Sequence, residues 1–328
     1  MKQKNIAIIK DTYVRRMLLV LLVTAVLGTV LRPSVFPTWS TAEAVMRQSV
    51  EYGLLALGVS ICMMSGGIDL SAVYLANLSS IVLGIWLKSQ YAGGKIPALM
   101  IVVGILIAVI TGMVGGLLNG FLIGRLKLPA MLATLGSGQL FMGISLVITK
   151  GKALNGIPPV LTNFANTNVT VIPLLFIIFV IAGAVLYVVM DKTRFGEEII
   201  LVGTNIRAAM FSGLNEVRIL IRTYMISGIL ASLSGIVILA RNSSAKADFG
   251  TSYVLLTILI AVLGGTDPDG GKGSIAAVSI AVVIMQMISS LFNMFGALIN
   301  TFYRNIVWGL LLVTTLIINY YFNKKIRH

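Results

Sequence analysis

Cysteine and histidine are almost absent from this chain of 328 residues. Cys62 is the single cysteine and stands within an apolar run, so an internal disulfide framework is excluded. The only histidine is His328, the last residue of the sequence, which argues against a histidine-based metal site and against a Ser-His-Asp triad within the chain. A lone thiol among apolar residues is more often a small hydrophobic side chain than a reactive group.

Charged residues are also scarce. Only 11% of the residues are Asp, Glu, Lys or Arg, compared with about a quarter in soluble globular domains, and 57% are hydrophobic. This composition predicts an all-α, polytopic transmembrane helix bundle. The net charge of +14 would suggest nucleic-acid binding in a soluble protein, but here the basic residues lie in short loops, where they orient membrane spans.

Ten apolar stretches are candidates to cross about 30 Å of hydrocarbon. The N-terminal run resembles a secretion signal, but no small-x-small cleavage site follows it, so we interpret it as an uncleaved first span. With both termini in the cytoplasm, most basic residues fall on the cytoplasmic side, as the positive-inside bias requires. We therefore expect one transmembrane domain over residues 1–328. The predicted spans are 17–31, 50–66, 70–87, 98–123, 130–149, 171–190, 223–240, 251–264, 274–292 and 305–322.

The only long charged segment between two spans is residues 191–222, and its excess of basic residues predicts a cytoplasmic loop. Within it, Thr204 or Asn205 can cap a short helix over 206–211, and Gly213 can end that helix in the left-handed conformation. A helix of this length is not stable alone in water. We therefore predict that it docks on another protein.

Two connections on the opposite side carry one basic residue each and no acidic residue. RPSVFPTWS follows the first span, and GKALNGIPPVLTNFANTNVT follows the fifth. Because the second is rich in Asn, Thr, Gly and Pro, we predict a loop there and not a helix. It is either a solvated connector or a landing surface for an external partner.

Two breaks inside the membrane region share the pattern Gly-Gly-x-Asp. One lies at 66–69 and the other at 264–267. Paired glycines permit sharp turns and close backbone approach, and the aspartate can cap the next helix. The repeated pattern hints at an internal duplication, which transporters often contain.

Charged side chains are missing from the middle of every predicted span, and Asp69 in the first break is the one ionisable candidate. This argues against ion coupling and against a strongly charged cargo. The spans do carry neutral Ser, Thr, Asn and Gln, which suit a hydroxyl-rich solute but more often pack helices together. Glycines 112, 115, 116, 120 and 124 predict a close helix contact along the fourth span.

Nucleotide hydrolysis cannot be supplied by this chain. The nearest approach to a phosphate-binding loop ends in Gly271-Lys272-Gly273, where Gly273 replaces the Ser or Thr that binds magnesium and Thr266 replaces the first glycine. A separate ATPase subunit is therefore expected to dock on the helix at 204–213.

Five motifs in order resemble the ribose-type permeases of bacterial ABC importers, which take up ribose, xylose, other simple sugars or the furanosyl quorum signal. The resemblance implies a second permease copy, identical or paralogous, two ATPase subunits that carry ATP and Mg, and an extracytoplasmic solute-binding protein, in the bacterial cytoplasmic (inner) membrane. It implies no cofactor in this chain and no enzymatic activity of its own. The motifs are GGIDLS at 66–71, GxLNGFLIGRLKLPAMLATLG at 116–136, TRFG at 193–196, GxNxxAAxxSG at 203–213 and LGGTxxxGGKGS at 263–274.

The resemblance also assigns candidate site residues. Where the family continues GGIDLS with Val-Gly-Ser, Ala72-Val73-Tyr74 stands here, which makes Tyr74 a candidate for shaping the pathway. The ATPase-coupling residues are Gly203, Asn205, Ala208, Ala209, Ser212 and Gly213. The translocation-pathway candidates are Gly66, Gly67, Asp69, Ser71, Tyr74 and Asn77.

The sequence therefore favours the permease subunit of an ABC importer for a neutral simple sugar or sugar-like solute. One alternative is a stand-alone, ion-coupled secondary transporter that uses Asp69. A second is a membrane-embedded enzyme acting on lipid-linked sugar, with Asp267 and Asp269 as its carboxylates, although Pro268 between them is simpler to explain as part of a turn.

Overall fold

The computed structural model describes residues 2–91, 95–295 and 301–326. Helices joined by short irregular segments make up most of this part of the chain, which also holds one short hairpin and an isolated β-bridge between Leu154 and Ala245. His328 lies outside the described residues. The hairpin pairs β1 (Asn168–Val169) with β2 (Ile172–Pro173) in antiparallel fashion. The helices are α1 (Lys2–Leu31), α2 (Trp39–Met64), α3 (Ala72–Gln90), α4 (Ala98–Gly124), α5 (Ala130–Thr149), α6 (Pro159–Asn166), α7 (Leu174–Lys192), α8 (Arg194–Thr204), α9 (Ile206–Phe211), α10 (Glu216–Asn242), α11 (Tyr253–Leu263), α12 (Ile275–Met294) and α13 (Thr301–Ile326).

Each of the ten predicted spans falls on one helix, and within the described ranges seven of those helices are long and apolar enough to cross a membrane. These seven are on α1, α3, α4, α5, α7, α10 and α12. The start of α2 is too polar to qualify. α11 has 11 residues and rises about 16 Å, roughly half of the hydrocarbon thickness, and α13 is apolar only over Ile306–Ile317.

The centre of the bundle is α10, which packs against α4, α2 and α3. The closest approach is to α4, because a stripe of α4 glycines faces α10 without side chains. A Cβ added to Gly116 would lie 2.2 Å from the Tyr224 carbonyl oxygen, and one added to Gly120 would lie 2.5 Å from the Ile221 Cα. The predicted helix contact along the fourth span is therefore confirmed.

One part of the sequence prediction is wrong, and one further helix was not predicted. The segment after α5 is not a plain loop, since it holds α6 and the β1–β2 hairpin. Pro159 starts α6, and Leu161 and Ala165 bury one face of it. The charged segment 191–222 contains α8 as well as α9, and Ile199 and Val202 bury the apolar face of α8.

Candidate functional site

The predicted short helix exists with the expected bounds and caps. Asn205 is the N-cap of α9, and its Oδ1 accepts a hydrogen bond from the Ala208 N–H at 3.0 Å. Thr204 is instead the last residue of α8, with its hydroxyl donating to the Ile200 carbonyl at 2.7 Å. Gly213 has φ of +82°, the left-handed conformation that was expected to end the helix.

One face of α9 rests on the rest of the chain and the other is open. Ala209 is only 4% exposed and belongs to the main hydrophobic core. Phe211, by contrast, is 93% exposed, and Met210 beside it is 45% exposed. The family motif includes Ala209 but not Phe211. That the Phe211 ring is exposed could be seen only in the fold. A bare aromatic ring on a short helix is the kind of group that anchors a protein interface.

Gly203, at the last turn of α8, joins this helix pair to both membrane breaks. A Cβ added to Gly203 would lie 2.0 Å from the Met64 carbonyl oxygen and 2.7 Å from the Gly271 N atom. The Gly271 N–H itself donates to the Met64 carbonyl at 2.9 Å. A Cβ at Gly270 would lie 2.7 Å from the Gly66 Cα. We call Gly66, Gly203, Gly270 and Gly271 the glycine junction.

The residues that the sequence places far apart thus meet at one point. Gly66 ends α2, Gly203 precedes α9, and Gly270 and Gly271 precede α12. The contact is backbone against backbone, because no side chain separates the three segments. The last turn of α8, directly before α9, therefore contacts the segments that follow α2 and precede α12.

The two Gly-Gly breaks end their helices with the same hydrogen bonds. Gly66 at φ of +88° donates to the carbonyl three residues back at 2.9 Å, and Gly265 at φ of +86° does so at 3.0 Å. In each case the next residue donates to the carbonyl five residues back, which completes a Schellman motif. However, Asp69 lies three residues after its glycine and Asp267 only two after its own. The shared Gly-Gly-x-Asp pattern therefore does not align equivalent residues.

Asp69 binds three helices together in the interior. Its Oδ1 accepts from the Ser71 N–H at 3.0 Å and from the Ser71 hydroxyl at 2.7 Å, and its Oδ2 accepts from the Ser227 hydroxyl at 2.7 Å. The Asn119 amide then donates to the Ser71 hydroxyl at 2.7 Å. The N-cap residue of α3 is therefore Ser71 and not Asp69, which differs from the expectation. Asp69 links Ser71 to α10, and Ser71 links to α4.

The second break is capped differently from the expectation. Asp267 does not cap α12, because Ser274 does so by accepting from the Ala277 N–H at 3.3 Å. The Asp267 Oδ1 instead accepts from the Asp269 N–H at 3.1 Å, within a turn. This local turn geometry gives the Asp267 carboxylate a simple structural role.

Tyr74 and Asn77 lie away from the glycine junction. Tyr74 is half-buried against α5, where a Cβ at Gly138 would lie 2.9 Å from its ring. The Asn77 amide donates to the carbonyls of Ala247 at 3.0 Å and Phe249 at 2.8 Å. The pathway candidates therefore divide into a group at the first break and two residues further along α3.

One buried carboxylate escaped the sequence prediction. Glu51, the second residue of the predicted second span, is 5% exposed, and its Oε2 lies 2.9 Å from the Arg241 Nη1 at the end of α10. Arg241 stands at the end of a different predicted span, so no local pattern pairs the two. The Ser234 hydroxyl also donates to the Glu51 carbonyl at 2.8 Å, which adds a second link between α2 and α10.

Comparison with known proteins gives a consistent result. The family described as "Branched-chain amino acid transport system / permease component" matches residues 41–316. The ribose import permease protein RbsC of Bacillus subtilis (strain 168) is 32% identical over 304 residues, which cover 91% of this chain and 90% of RbsC. The autoinducer 2 import system permease protein LsrD of Escherichia coli (strain K12) is 30% identical over 250 residues, 74% of this chain and 73% of LsrD.

A solved inward-facing structure of an ABC transporter assigned to the metal-chelate type is similar with a TM-score of 0.50 and 13% identity, over 94% of this chain and 96% of the other. At that identity the similarity concerns the fold alone. The family assignment rests on two findings: the family match, and a relative that is 32% identical over 91% of this chain. The chain therefore belongs to the branched-chain amino acid transport system permease component family, and it is a multi-pass membrane permease of a bacterial ABC importer.

Proposed function

We propose that this permease carries a neutral simple sugar or a sugar-like solute into the cytoplasm. The observation that supports this best is the 32% identity, over 91% of the chain, to a permease whose name specifies ribose import. The interior agrees with a neutral cargo. Among the described residues the buried carboxylates are Glu51, Asp69 and Glu216, and each is engaged within the protein.

The family description names branched-chain amino acids, so an amino acid is the competing cargo. A zwitterion needs partners for its carboxylate and its ammonium group inside a low-dielectric pathway. The described interior offers no buried carboxylate that is free for an ammonium group. This favours a sugar.

ABC import permeases work with an ATPase and, generally, a solute-binding protein. In our proposal this chain forms a two-permease core with an identical or paralogous copy, and residues 1–328 make one transmembrane domain of about ten spans. Both termini and the loop at 191–222 face the cytoplasm. ATP and Mg bind on the ATPase.

The ATPase docks on α9. Phe211 inserts into the ATPase surface, and Ala209 anchors the helix on the permease itself. The exposed residues around the Phe211 ring are Asn205, Ala208, Ser212 and Gly213. This division of roles follows from burial, because a side chain that is 4% exposed in the chain cannot contact a partner without undocking the helix.

Closure of the ATPase dimer moves α9, and the glycine junction transmits the movement. Gly203 presses on the carbonyl that ends α2 and on the backbone before α12, so both helices shift together. The pathway then opens alternately to the two sides of the membrane. Gly66, Gly67, Asp69 and Ser71 lie at the point where this shift begins.

The alternative of ion coupling through Asp69 has less support. Both carboxylate oxygens accept hydrogen bonds from Ser71 or Ser227, and the residue is 2% exposed. In an ion-coupled carrier the coupling carboxylate must exchange its ion with water on each side. Here the same group holds α3 against α10.

The proposal is tested in proteoliposomes that contain the permease, its ATPase subunit and its binding protein. We expect ATP-dependent uptake of a pentose, a hexose or a furanosyl compound from a labelled panel that also includes leucine. Uptake of leucine alone would overturn the sugar assignment. Uptake that needs an ion gradient but no ATPase would overturn the ATP-driven mechanism.

Phe211→Ala tests the docking role separately. Truncating a central aromatic anchor costs about 2 kcal/mol or more, so we expect ATPase binding to weaken at least tenfold, roughly, while membrane insertion is unchanged. Phe164→Ala is the matched control, since Phe164 is 46% exposed on α6 and not on α9. Equal ATPase binding by both variants would show that α9 does not use Phe211.

A further inference from the structure

A cavity of about 400 Å³ opens beside the end of α4 and the start of α10. Its volume exceeds the roughly 30 Å³ that one water occupies in the liquid, so it is large enough for a headgroup-sized ligand. The proposed function assigns no role to it. The cavity is lined by Arg125, Asn215, Val217, Arg218, Ile221 and Arg222, and we call it the arginine pocket.

The arginine pocket has a strong positive charge without internal neutralisation. Arg125, Arg218 and Arg222 are all exposed, and within the described part of the chain none of them forms an ion pair. Glu216 is close in sequence, but Lys127 already pairs with it. The pocket also lies at the N-terminus of α10, whose dipole adds positive potential.

Arg218 and Arg222 are one turn apart on α10, so their guanidinium groups project from the same face. Arg125 follows the last residue of α4 and approaches from the neighbouring helix. Guanidinium groups recognise phosphate oxygens through paired N–H donors. Val217 and Ile221 supply apolar wall between them, which suits a ligand that is partly hydrocarbon.

An apolar stripe leads along α4 to the pocket. Only 22% of the most apolar part of α4 is buried. The exposed apolar side chains of α4 recur every three or four residues, or at a multiple of that spacing, as far as the end of the helix. This spacing keeps them on one face of the helix. The stripe consists of Leu99, Val102, Leu106, Ile110, Val114 and Phe121.

We propose that the arginine pocket binds the phosphate headgroup of an anionic phospholipid, with an acyl chain lying along the α4 stripe. Both helices that form the pocket are long enough to span a membrane, so it lies where spans end and headgroups begin. Basic pockets between membrane helices are known to bind anionic headgroups. This proposal rests on the proposed function in one respect only, the choice of membrane leaflet. Because α9 faces the cytoplasm in the proposed function, the arginine pocket lies at the cytoplasmic leaflet.

The test uses the purified full chain with phosphatidylglycerol and phosphatidylcholine of identical acyl chains, and native mass spectrometry counts the retained lipids. Arg218→Gln with Arg222→Gln removes two charges from the pocket. The control variant, Lys192→Gln with Arg194→Gln, also removes two positive charges from the same side of the membrane, but neither residue lines the arginine pocket. A basic residue near the surface contributes about 1 kcal/mol of attraction to anionic lipid, so we expect roughly thirtyfold weaker phosphatidylglycerol binding in the first variant. Near wild-type binding is expected in the second.

Equal losses in the two variants would mean diffuse attraction to basic loops and would overturn the site. Displacement of phosphatidylglycerol by millimolar inorganic phosphate would also overturn it, because the acyl chain would then contribute nothing. Loss of ATPase binding with lipid binding retained would assign the pocket to the ATPase instead. Size-exclusion elution and thermal unfolding in phosphatidylcholine confirm that each variant is folded, and uptake assays report separately on the proposed function.

Discussion

The two ends of the helix bundle are held together by different kinds of contact. At the α6 end, long polar side chains bridge separate segments. Arg47 donates to the Ala165 carbonyl at 2.6 Å, and Lys88 donates to the Asn155 carbonyl at 2.8 Å. At the α9 end, the glycine junction brings three segments together with no side chain between them. The first arrangement ties loops to helices through side chains, and the second is a direct contact between backbones.

In the proposed function, the α6 end receives an external binding protein and the α9 end meets the ATPase. A surface that receives an external protein keeps its shape when loops are tied to helices by hydrogen bonds. An end that is driven by an ATPase has to pass small movements to the bundle. Backbone contacts without flexible side chains do this because packed interiors resist compression.

The largest effect is expected where the glycine junction is blocked. Gly203→Ala places a Cβ 2.0 Å from the Met64 carbonyl oxygen, so one of the backbones has to move. We expect a loss of more than about 3 kcal/mol in the free energy of unfolding, or a separation of α8 from α2 that abolishes ATP-driven uptake. Thermal unfolding and transport measurements test this.

Gly136→Ala is the control for that substitution. Gly136 lies on α5, and a Cβ there would meet nothing within 4 Å. We expect it to change neither stability nor transport appreciably, because alanine is a better helix former than glycine. If both variants behaved alike, the glycine junction would have no special role.

A smaller effect is expected where one side chain holds helices near the α9 end. Asp69→Ala removes the acceptor of both the Ser71 and the Ser227 hydroxyls, and we expect about 3 kcal/mol of destabilisation. Asp69→Asn keeps an acceptor oxygen, so about 1 kcal/mol is expected and ATP-driven uptake persists. If Asp69→Asn abolished uptake while remaining stable, ion coupling would be favoured.

The smallest effect is expected at the exposed α6 end. Hydrogen bonds from Asn168 and then Arg47 lower the pKa of Glu43 below its ordinary value of 4.5. A lowered pKa in the folded state stabilises the fold above the ordinary value, and that contribution is lost as the pH falls through the folded pKa. Below about pH 4.5 we expect the wild-type transition temperature to fall more steeply than that of Glu43→Gln. Parallel profiles would show that the pair is too exposed to matter.

Sequence reasoning predicted what depends on nearby residues. The caps of α9 are local hydrogen bonds and backbone conformations, so Asn205 and Gly213 could be named in advance. The span positions also followed from composition, because a run of apolar residues needs no partner to be recognised.

What the sequence could not supply depends on contacts between distant segments. The apolar face of α8 is visible only against the helices that cover it, and the pairing of Glu51 with Arg241 joins residues in different spans. The motif around 203–213 marked residues without saying which face outward, so the exposed Phe211 was missed. Gly203 was predicted from the motif as a coupling residue, and its contacts with Met64 and Gly271 could be known only from the fold.

Cys62 is fully buried one turn before the glycine junction, and it is the only cysteine in the chain. These 328 residues therefore carry a single thiol without any substitution. A membrane-permeant maleimide would label it only when the end of α2 parts from its neighbours. Labelling rates with and without nucleotide on the ATPase would then follow the opening of the transporter in time, without any mutation.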